Sequence, residues 1–296
     1  MIKKKSEKLM SGIIANLILM IATVLCILPF ITVLSASISN EQQLIDVGYG
    51  ILPRGLSLDA YKVVFANSKQ VIDAYIVTII VTVVGAVAGT LIMAMAAFAI
   101  ARKDYVWRKI ANFYIYFTMI FSGGAVSSYL WITQGLHLKN NILVLILPLL
   151  VSGWNIFLLR TYISKIPMEI IEATKIDGAS EFKIFFKIIL PMSTVGLATI
   201  LVMTTLAYWN QWYACLMYIS NDKYTTLQYY LMRVMNNINS ILNAQSSQAM
   251  MIDTSNLPGE TARMAMCVVS AGPMIFVFMF FQKYFVGGIA LGSVKG

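Results

Sequence analysis

The chain has 296 residues, of which 59% are hydrophobic and 12% charged, with a mean hydropathy of +0.76. A soluble domain carries about 25% charged residues, so too little polar surface exists to cover a globule of this length; disorder, a disulfide scaffold and a basic nucleic-acid-binding domain are excluded as well. A polytopic membrane protein remains, and its net charge of +9, from 22 Lys and Arg against 13 Asp and Glu, needs an address.

Six stretches approach the roughly 20 apolar residues that a helical span requires. They run from Gly12 to Ser37 (interrupted by Pro29), Ala74 to Ala101, Ile110 to Trp131, Ile142 to Tyr162, Met192 to Ile219 and Met264 to Phe285. None of their interiors contains Asp, Glu or Lys; Arg160 stands at the end of the fourth and Lys283 at the end of the sixth. Their apolar runs are continuous, where outer-membrane strands would be shorter and alternating. Lys3, Lys4, Lys5 and Lys8 before the first span imitate the start of a signal peptide. The apolar run of about 25 residues exceeds the 7–15 of a signal core, so an uncleaved first helix is expected. The fold class is therefore an all-α polytopic membrane protein with six transmembrane helices. Its expected divisions are residues 1–70 (N-terminal segment, first helix and exterior segment), 71–286 (core with spans two to six) and 287–296 (tail).

Six crossings place 15 of the 22 basic residues on the side of the N-terminus, against seven on the other, while the acids divide six to seven. The excess of Lys and Arg marks the cytoplasmic side. Both termini are thus expected in the cytoplasm of a multi-pass plasma-membrane protein, and topology accounts for the whole +9.

Two exterior segments are long. Residues 38–73 include Pro53, Gly55 and an amphipathic stretch at Leu58–Phe65; residues 220–263 are rich in Asn, Gln and Ser. Either is large enough to meet a partner or substrate, and either could be a flexible insertion. On the inside, the loop from Lys165 to Pro191 is the one long segment. Pro167 suits the first turn of a helix, and Met168–Ile176 contains good helix formers. Asp177-Gly178 breaks the helix: Gly permits a left-handed C-cap and Asp can cap the next helix. That second helix, over Ala179–Leu190, sets Phe182, Phe185, Phe186 and Ile189 at i, i+3, i+4 and i+7, one apolar stripe. The stripe must pack on its own bundle or against a second protein. Pro191 marks a hinge into the fifth span.

The run Glu172-Ala173-Thr174-Lys175-Ile176-Asp177-Gly178-Ala179, followed by Ile189-Leu190-Pro191, resembles the EAA loop of permease subunits in ATP-binding-cassette importers. Thr174 replaces an Ala of the family pattern and is also small. Ala97-Phe98-Ala99-Ile100-Ala101-Arg102 resembles the end of a core helix in sugar permeases. Gln282–Gly288 together with Gly292–Gly296 resembles the C-terminus of the smaller maltose-type permease. The long polar stretch before the sixth span is similar to the subgroup that handles complex oligosaccharides and polysaccharide fragments.

This resemblance implies a type I importer permease. Its partners would be a second, different permease subunit, two cytoplasmic ATP-binding cassette ATPases and an extracellular substrate-binding protein, with an oligosaccharide as cargo. No Gly-x-x-x-x-Gly-Lys-Ser/Thr is present, so the chain is expected to be a transport subunit with no cofactor, ATP and Mg being held by the partner ATPase. By resemblance, Glu172, Ala173, Asp177, Gly178, Ala179 and Pro191 couple to the ATPase, and Phe182, Phe185 and Phe186 fill its groove. Gly292, Lys295 and Gly296 of the tail would reach the same partner. Aromatic faces and amides bind sugars, so Trp209, Asn210, Gln211, Trp212 and Tyr213, with Asn155, Tyr114 and Tyr116, are candidates for the pathway; aromatics near span ends also serve as interfacial belts. Gly85-x-x-x-Gly89 permits close helix contact. His137 is the only histidine, which argues against a metal site, and Cys26, Cys215 and Cys267 lie in spans and read as small packing residues. No constellation for an intramembrane enzyme is present. A non-sugar cargo and, further off, an ion-coupled transporter are the alternatives.

Overall fold

The computed structural model describes residues 2–246 and 258–293, with side chains from 12 to 241 and from 258 to 283. The described residues form α1 (Ile2–Ser37), α2 (Glu41–Val47), α3 (Asp59–Val64), α4 (Ser68–Ala101), α5 (Arg108–Ile120), α6 (Gly124–Leu130), α7 (Leu143–Ile146), α8 (Gly153–Ile163), α9 (Met168–Ile176), α10 (Glu181–Ile184), α11 (Leu190–Met192), α12 (Thr194–Trp209), α13 (Tyr213–Tyr218), α14 (Leu227–Ser246) and α15 (Glu260–Ser293). They pack as two compact units, residues 1–68 with 231–272 and residues 69–230 with 273–296.

Among the described residues, Gly12–Ser37, Ser68–Ala101 and Glu260–Lys283 are each long and apolar enough to cross a bilayer as one helix. The helix α1 continues through Pro29 instead of being interrupted there; proline is tolerated in membrane helices. The third and fourth spans, expected as single helices, are broken, and the fifth is entered through a bend where a hinge was expected at Pro191. Arg108–Ile120 and Gly124–Gly135 meet at 112°, Leu143–Leu149 and Gly153–Ile163 at 54°, and Glu181–Met192 and Thr194–Trp209 at 84°. Each break has a local cause. Gly124 has φ +80, which favours glycine. Pro148 lies in a 3-10 turn, and Ser152 then caps α8 by accepting from Asn155 N. Pro191 precedes the bend at Ser193.

In the first unit, Asn40 caps α2 through its side chain. The Glu41 carboxylate accepts from the backbone of Glu260 (2.8 Å) and Thr261 (2.9 Å), so it caps the free amides that open α15. The amphipathic stretch near Leu58 is α3, with Ala60 and Val64 buried. Much of the polar segment expected between residues 220 and 263 is helical: α14 begins in the second unit, and in the first it buries Leu231 and Ile238.

In the second unit, α4 supplies the spine. One cluster joins Met93, Ala94, Ala97, Phe98 and Ile100 to Ile156, Leu159 and Ile163 of α8 and to Ile171, Ile184, Phe185 and Ile189. Another joins Val77, Val81 and Ala86 to Val144–Ile146, Tyr208 and Cys215. Cys215 is buried as expected; Cys26 and Cys267 are exposed.

The glycine pair of α4 serves contacts within this unit. Leu150 N turns to Leu147 O in the 3-10 turn, which leaves Ile146 O without its helical donor. The Tyr208 hydroxyl donates to that carbonyl at 2.7 Å. A β-carbon on Gly85 would lie 2.3 Å from the Tyr208 ring, and one on Gly89 would lie 2.7 Å from Leu150 O. Small residues at these positions let the broken fourth span and the Tyr208 ring approach α4. We expect Tyr208→Phe and Gly85→Ala each to cost about 1–3 kcal/mol, the first by stranding a buried carbonyl and the second by displacing the ring. Because both act on one hydrogen bond, the double variant should cost less than the sum. Gly272→Ala, where a β-carbon meets nothing within 4 Å, should leave the unfolding temperature of the detergent-purified chain unchanged.

Candidate functional site in the loop before the fifth span

The loop folds as two short helices around a tight turn. Helix α9 starts after Pro167, which takes the N-cap position, and ends at Asp177, its C-cap. Ala179 N then bonds Thr174 O (3.1 Å) and Gly178 N bonds Lys175 O (2.9 Å), with Gly178 at φ +77. This pair of bonds is the Schellman motif, whose left-handed residue is normally glycine. The next helix is capped by Ser180, whose hydroxyl accepts from Lys183 N, rather than by Asp177.

After α10 the helix widens into a π turn at Phe185–Ile189. A π turn advances each residue by less rotation than an α turn. Ile189 therefore lags into line with Ile184 and Phe185, all three buried, while Phe182 (65% exposed) and Phe186 face out. The predicted single stripe is thus two faces. Phe185, expected to fill a partner's groove, is 3% exposed and lies 5.8 Å from the Phe98 ring. It belongs to the chain's own core and offers no surface to a partner.

Glu172, Ala173, Asp177, Gly178 and Pro191 lie exposed on the same segment, and Ala179 is half-buried against the α4 cluster. Ile176, which sequence reasoning passed over, is 86% exposed at the end of α9. A bare isoleucine beside a glycine turn was the available signal. Gly292 lies in α15; Lys295 and Gly296 lie outside the described residues.

A charged cluster that sequence reasoning also missed tethers the loop. Arg102 pairs with Asp104 and Glu181, and Lys175 Nζ lies 3.2 Å from Asp104 and 3.1 Å from Glu181. The hydrogen bond from Arg102, ahead of that from Lys175, holds the Asp104 carboxyl well below the usual carboxylate range. The bond to Glu181 raises the Lys175 ammonium above its ordinary value.

The pathway candidates separate. The fifth span ends at Trp209 and unwinds over residues 210–212 before α13. Trp209 is buried, with its ring 6.4 Å from Tyr75. Gln211 is buried too, and its Oε1 has no hydrogen-bond partner among the described residues. Asn155 is buried near the start of α8. Asn210, Trp212, Tyr213, Tyr114 and Tyr116 are exposed, the last two on α5, a helix with no buried residue.

The model of one protein family, described as binding-protein-dependent transport system inner membrane component, matches residues 8–290. The chain belongs to that family. It is a membrane transport permease and not an enzyme. Among relatives, it is 32% identical over 290 residues to the polygalacturonan/rhamnogalacturonan transport system permease protein YtcP of Bacillus subtilis, covering 98% of this chain and 99% of that one. It is 25% identical over 284 residues to the arabinooligosaccharides transport system permease protein AraQ of the same organism, 95% of each. A chain in the crystal structure of a bacterial ABC transporter involved in the import of the acidic polysaccharide alginate matches with a TM-score of 0.77 and 27% identity, covering 93% of the permease and 96% of that chain. The type I importer fold expected from the sequence is the one observed, with the spans broken as described.

The two shifts set a pH window for the tether. The contribution of Asp104, whose pKa is lowered, is present above its ordinary 3.8 and lost as pH falls further. That of Lys175, whose pKa is raised, is present below its ordinary 10.5 and lost as pH rises beyond it. The stability difference between the parent and Asp104→Asn, read from unfolding temperatures, should be flat from about pH 5 to 9, decline as pH falls below about 4, and still be present in part at about pH 2.

Proposed function

We propose that this permease forms, with a second and different permease subunit, the membrane pathway of an ATP-driven importer of oligosaccharides. The 165–191 loop docks on a cytoplasmic ATPase, which holds ATP and Mg; an extracellular binding protein delivers the sugar, and both termini lie in the cytoplasm. The observation that carries the cargo is end-to-end similarity to a polygalacturonan/rhamnogalacturonan permease. The alginate importer's match supports the same class. For the docking role, the support is the loop's exterior: a rigid turn at Gly178 presents Ile176, Phe182 and Phe186, uncovered apolar groups, on a segment that also exposes Glu172 and Asp177. Exposed apolar groups outside the bilayer mark a surface that a partner covers. Glu172 would meet a basic group of that partner, and the tail residues Gly292, Lys295 and Gly296 would extend the contact.

Along the pathway, Trp212, Tyr213, Asn210, Tyr114 and Tyr116 would face the cargo or the second subunit. Trp209 and Asn155 would support them from within the chain, and Gln211 has unmet acceptor capacity for a sugar hydroxyl.

Two experiments test this reading in the complete transporter, purified and reconstituted. Binding protein loaded with a galacturonan oligosaccharide should stimulate ATP hydrolysis and uptake; stimulation by an amino-acid cargo instead would overturn the sugar reading. Phe182→Ala with Phe186→Ala should release the ATPase while the chain still inserts, whereas Phe185→Ala should keep the ATPase and lower thermal stability by about 3–5 kcal/mol, as a buried aromatic does. Gly178→Val forces a β-branched residue into a left-handed position at a cost above about 1–2 kcal/mol and should abolish transport without preventing insertion. Retention of the ATPase by the double phenylalanine variant, or wild-type uptake by Gly178→Val, would sink the docking role.

A further inference from the structure

We propose that Arg102 is a positioning residue that locks the cytoplasmic end of α4 to the docking loop, so that displacement of the loop is delivered directly to the second span as well as to the fifth. The inference rests on the docking reading above, but it concerns a different joint.

Four side chains form a closed ring. Arg102 follows the last turn of α4 and donates to Asp104 through Nε (2.8 Å) and Nη2, and to Glu181 through Nη1. Lys175 closes the ring on the same two carboxylates. Each acid therefore meets both bases, and the charges cancel. Lys175 sits in the last turn of α9 and Glu181 in the first turn of α10. The ring thus staples the two short helices across the Asp177-Gly178 turn and fixes both to α4. Its centre is the Arg102 side chain, 11% exposed, with the guanidinium carbon 5.6 Å from the centre of the Phe98 ring, while the Asp104, Glu181 and Lys175 side chains are open to solvent. Beneath it, Phe98 packs on Phe185.

The chemistry explains the choice of residue. A planar guanidinium offers each carboxylate its own N–H groups in fixed directions, whereas the Lys175 ammonium reaches the same two acids as a single point charge on a flexible stem. The covalent route from the loop to the fifth span runs through the π turn and an 84° bend at Ser193. The route through Arg102 has no such bend. The loop and the end of α4 are therefore built to move as one body, while the fifth span follows through an elbow.

Isolated exposed ion pairs contribute little to stability, so the role of the ring is geometric and its readout is a distance. The test uses the full transporter with its ATPase bound. Spin labels are placed at Val106→Cys, beyond the end of α4, and Glu169→Cys, at the start of α9, with Cys26 and Cys267 changed to Ser. Distances are compared without nucleotide and with a non-hydrolysable ATP analogue. In the parent, the distance between the labels should stay the same on adding the analogue. In Arg102→Met it should shift by more than its own width, Arg102→Lys should restore part of the rigidity, and Glu181→Gln should reproduce the loss from the exposed side of the ring. The Glu181→Gln variant keeps the test decisive if Arg102→Met does not accumulate. A nucleotide-dependent distance in the parent, or an unchanged distance in both the Arg102→Met and Glu181→Gln variants, overturns the lock. Failure of the docking reading shows separately, as an ATPase that stays bound to the Phe182→Ala, Phe186→Ala chain.

Discussion

Hydrocarbon offers no hydrogen bonds, so a backbone amide or carbonyl released by a broken helix inside a bilayer must be met by the protein. Three of the six spans of this permease are broken, and much of the packing answers that constraint. The fourth span shows the whole sequence of cause and effect. Pro148 sits in a 3-10 turn, Leu150 N moves to Leu147 O, and Ile146 O loses its donor. Tyr208 reaches across from the fifth span to supply one. Its ring then needs space on α4, and Gly85 provides it. A proline turn on one helix orphans one carbonyl, and a tyrosine on a second helix and a glycine on a third answer it.

The loop before the fifth span obeys the same rule where water is near, with a different result. The Schellman bonds around Gly178 satisfy the carbonyls of Thr174 and Lys175 within the turn itself, so the turn can stand exposed, held to α4 by the charged ring. The π turn after it decides which phenylalanines remain available. By shifting Ile189 into register with Ile184 and Phe185, it commits one face to the core and keeps Phe182 and Phe186 outside. Burial of the first face against Phe98 and Ala97 holds the second in a fixed orientation.

The range of each force decided how much of this was legible in the sequence. The six apolar runs, the Asp177-Gly178 stop and the amphipathic stretch at Leu58 depend on local pattern, and all three were readable. The breaks at Gly124 and Ser152 were not, because hydropathy does not change across them. The division of the aromatic stripe was hidden because an assumed 3.6-residue period places Phe182, Phe185, Phe186 and Ile189 on one side, whereas Phe185 and Ile189 are buried with Ile184 and Phe182 and Phe186 are exposed. The helix over residues 227–246 was obscured by its Asn and Gln, although Leu227, Leu231 and Ile238 carry a helical period. The charged ring was out of reach for another reason: Arg102 and Glu181 are 79 positions apart and Asp104 and Lys175 are 71 apart, and no periodicity connects such pairs.

Two segments that looked like separate family marks are physically one joint. Ala97-Phe98-Ala99-Ile100-Ala101-Arg102 ends α4; Glu172–Ala179 and the helix after it form the loop. Ala94 and Ala97 keep the surface of α4 low, so that Phe185 can settle on Phe98, and Arg102 then lies beside Glu181. An arginine at the end of an alanine-rich helix has no evident purpose within that helix, and an acid at the first position of α10 does more there than favour the helix N-terminus. Set against each other, each supplies what the other lacks. Among the basic residues of the side expected to be cytoplasmic, Arg102 and Lys175 are balanced by Asp104 and Glu181 and contribute nothing to the net charge. What they contribute is the alignment of the exposed loop with the helix α4 behind it.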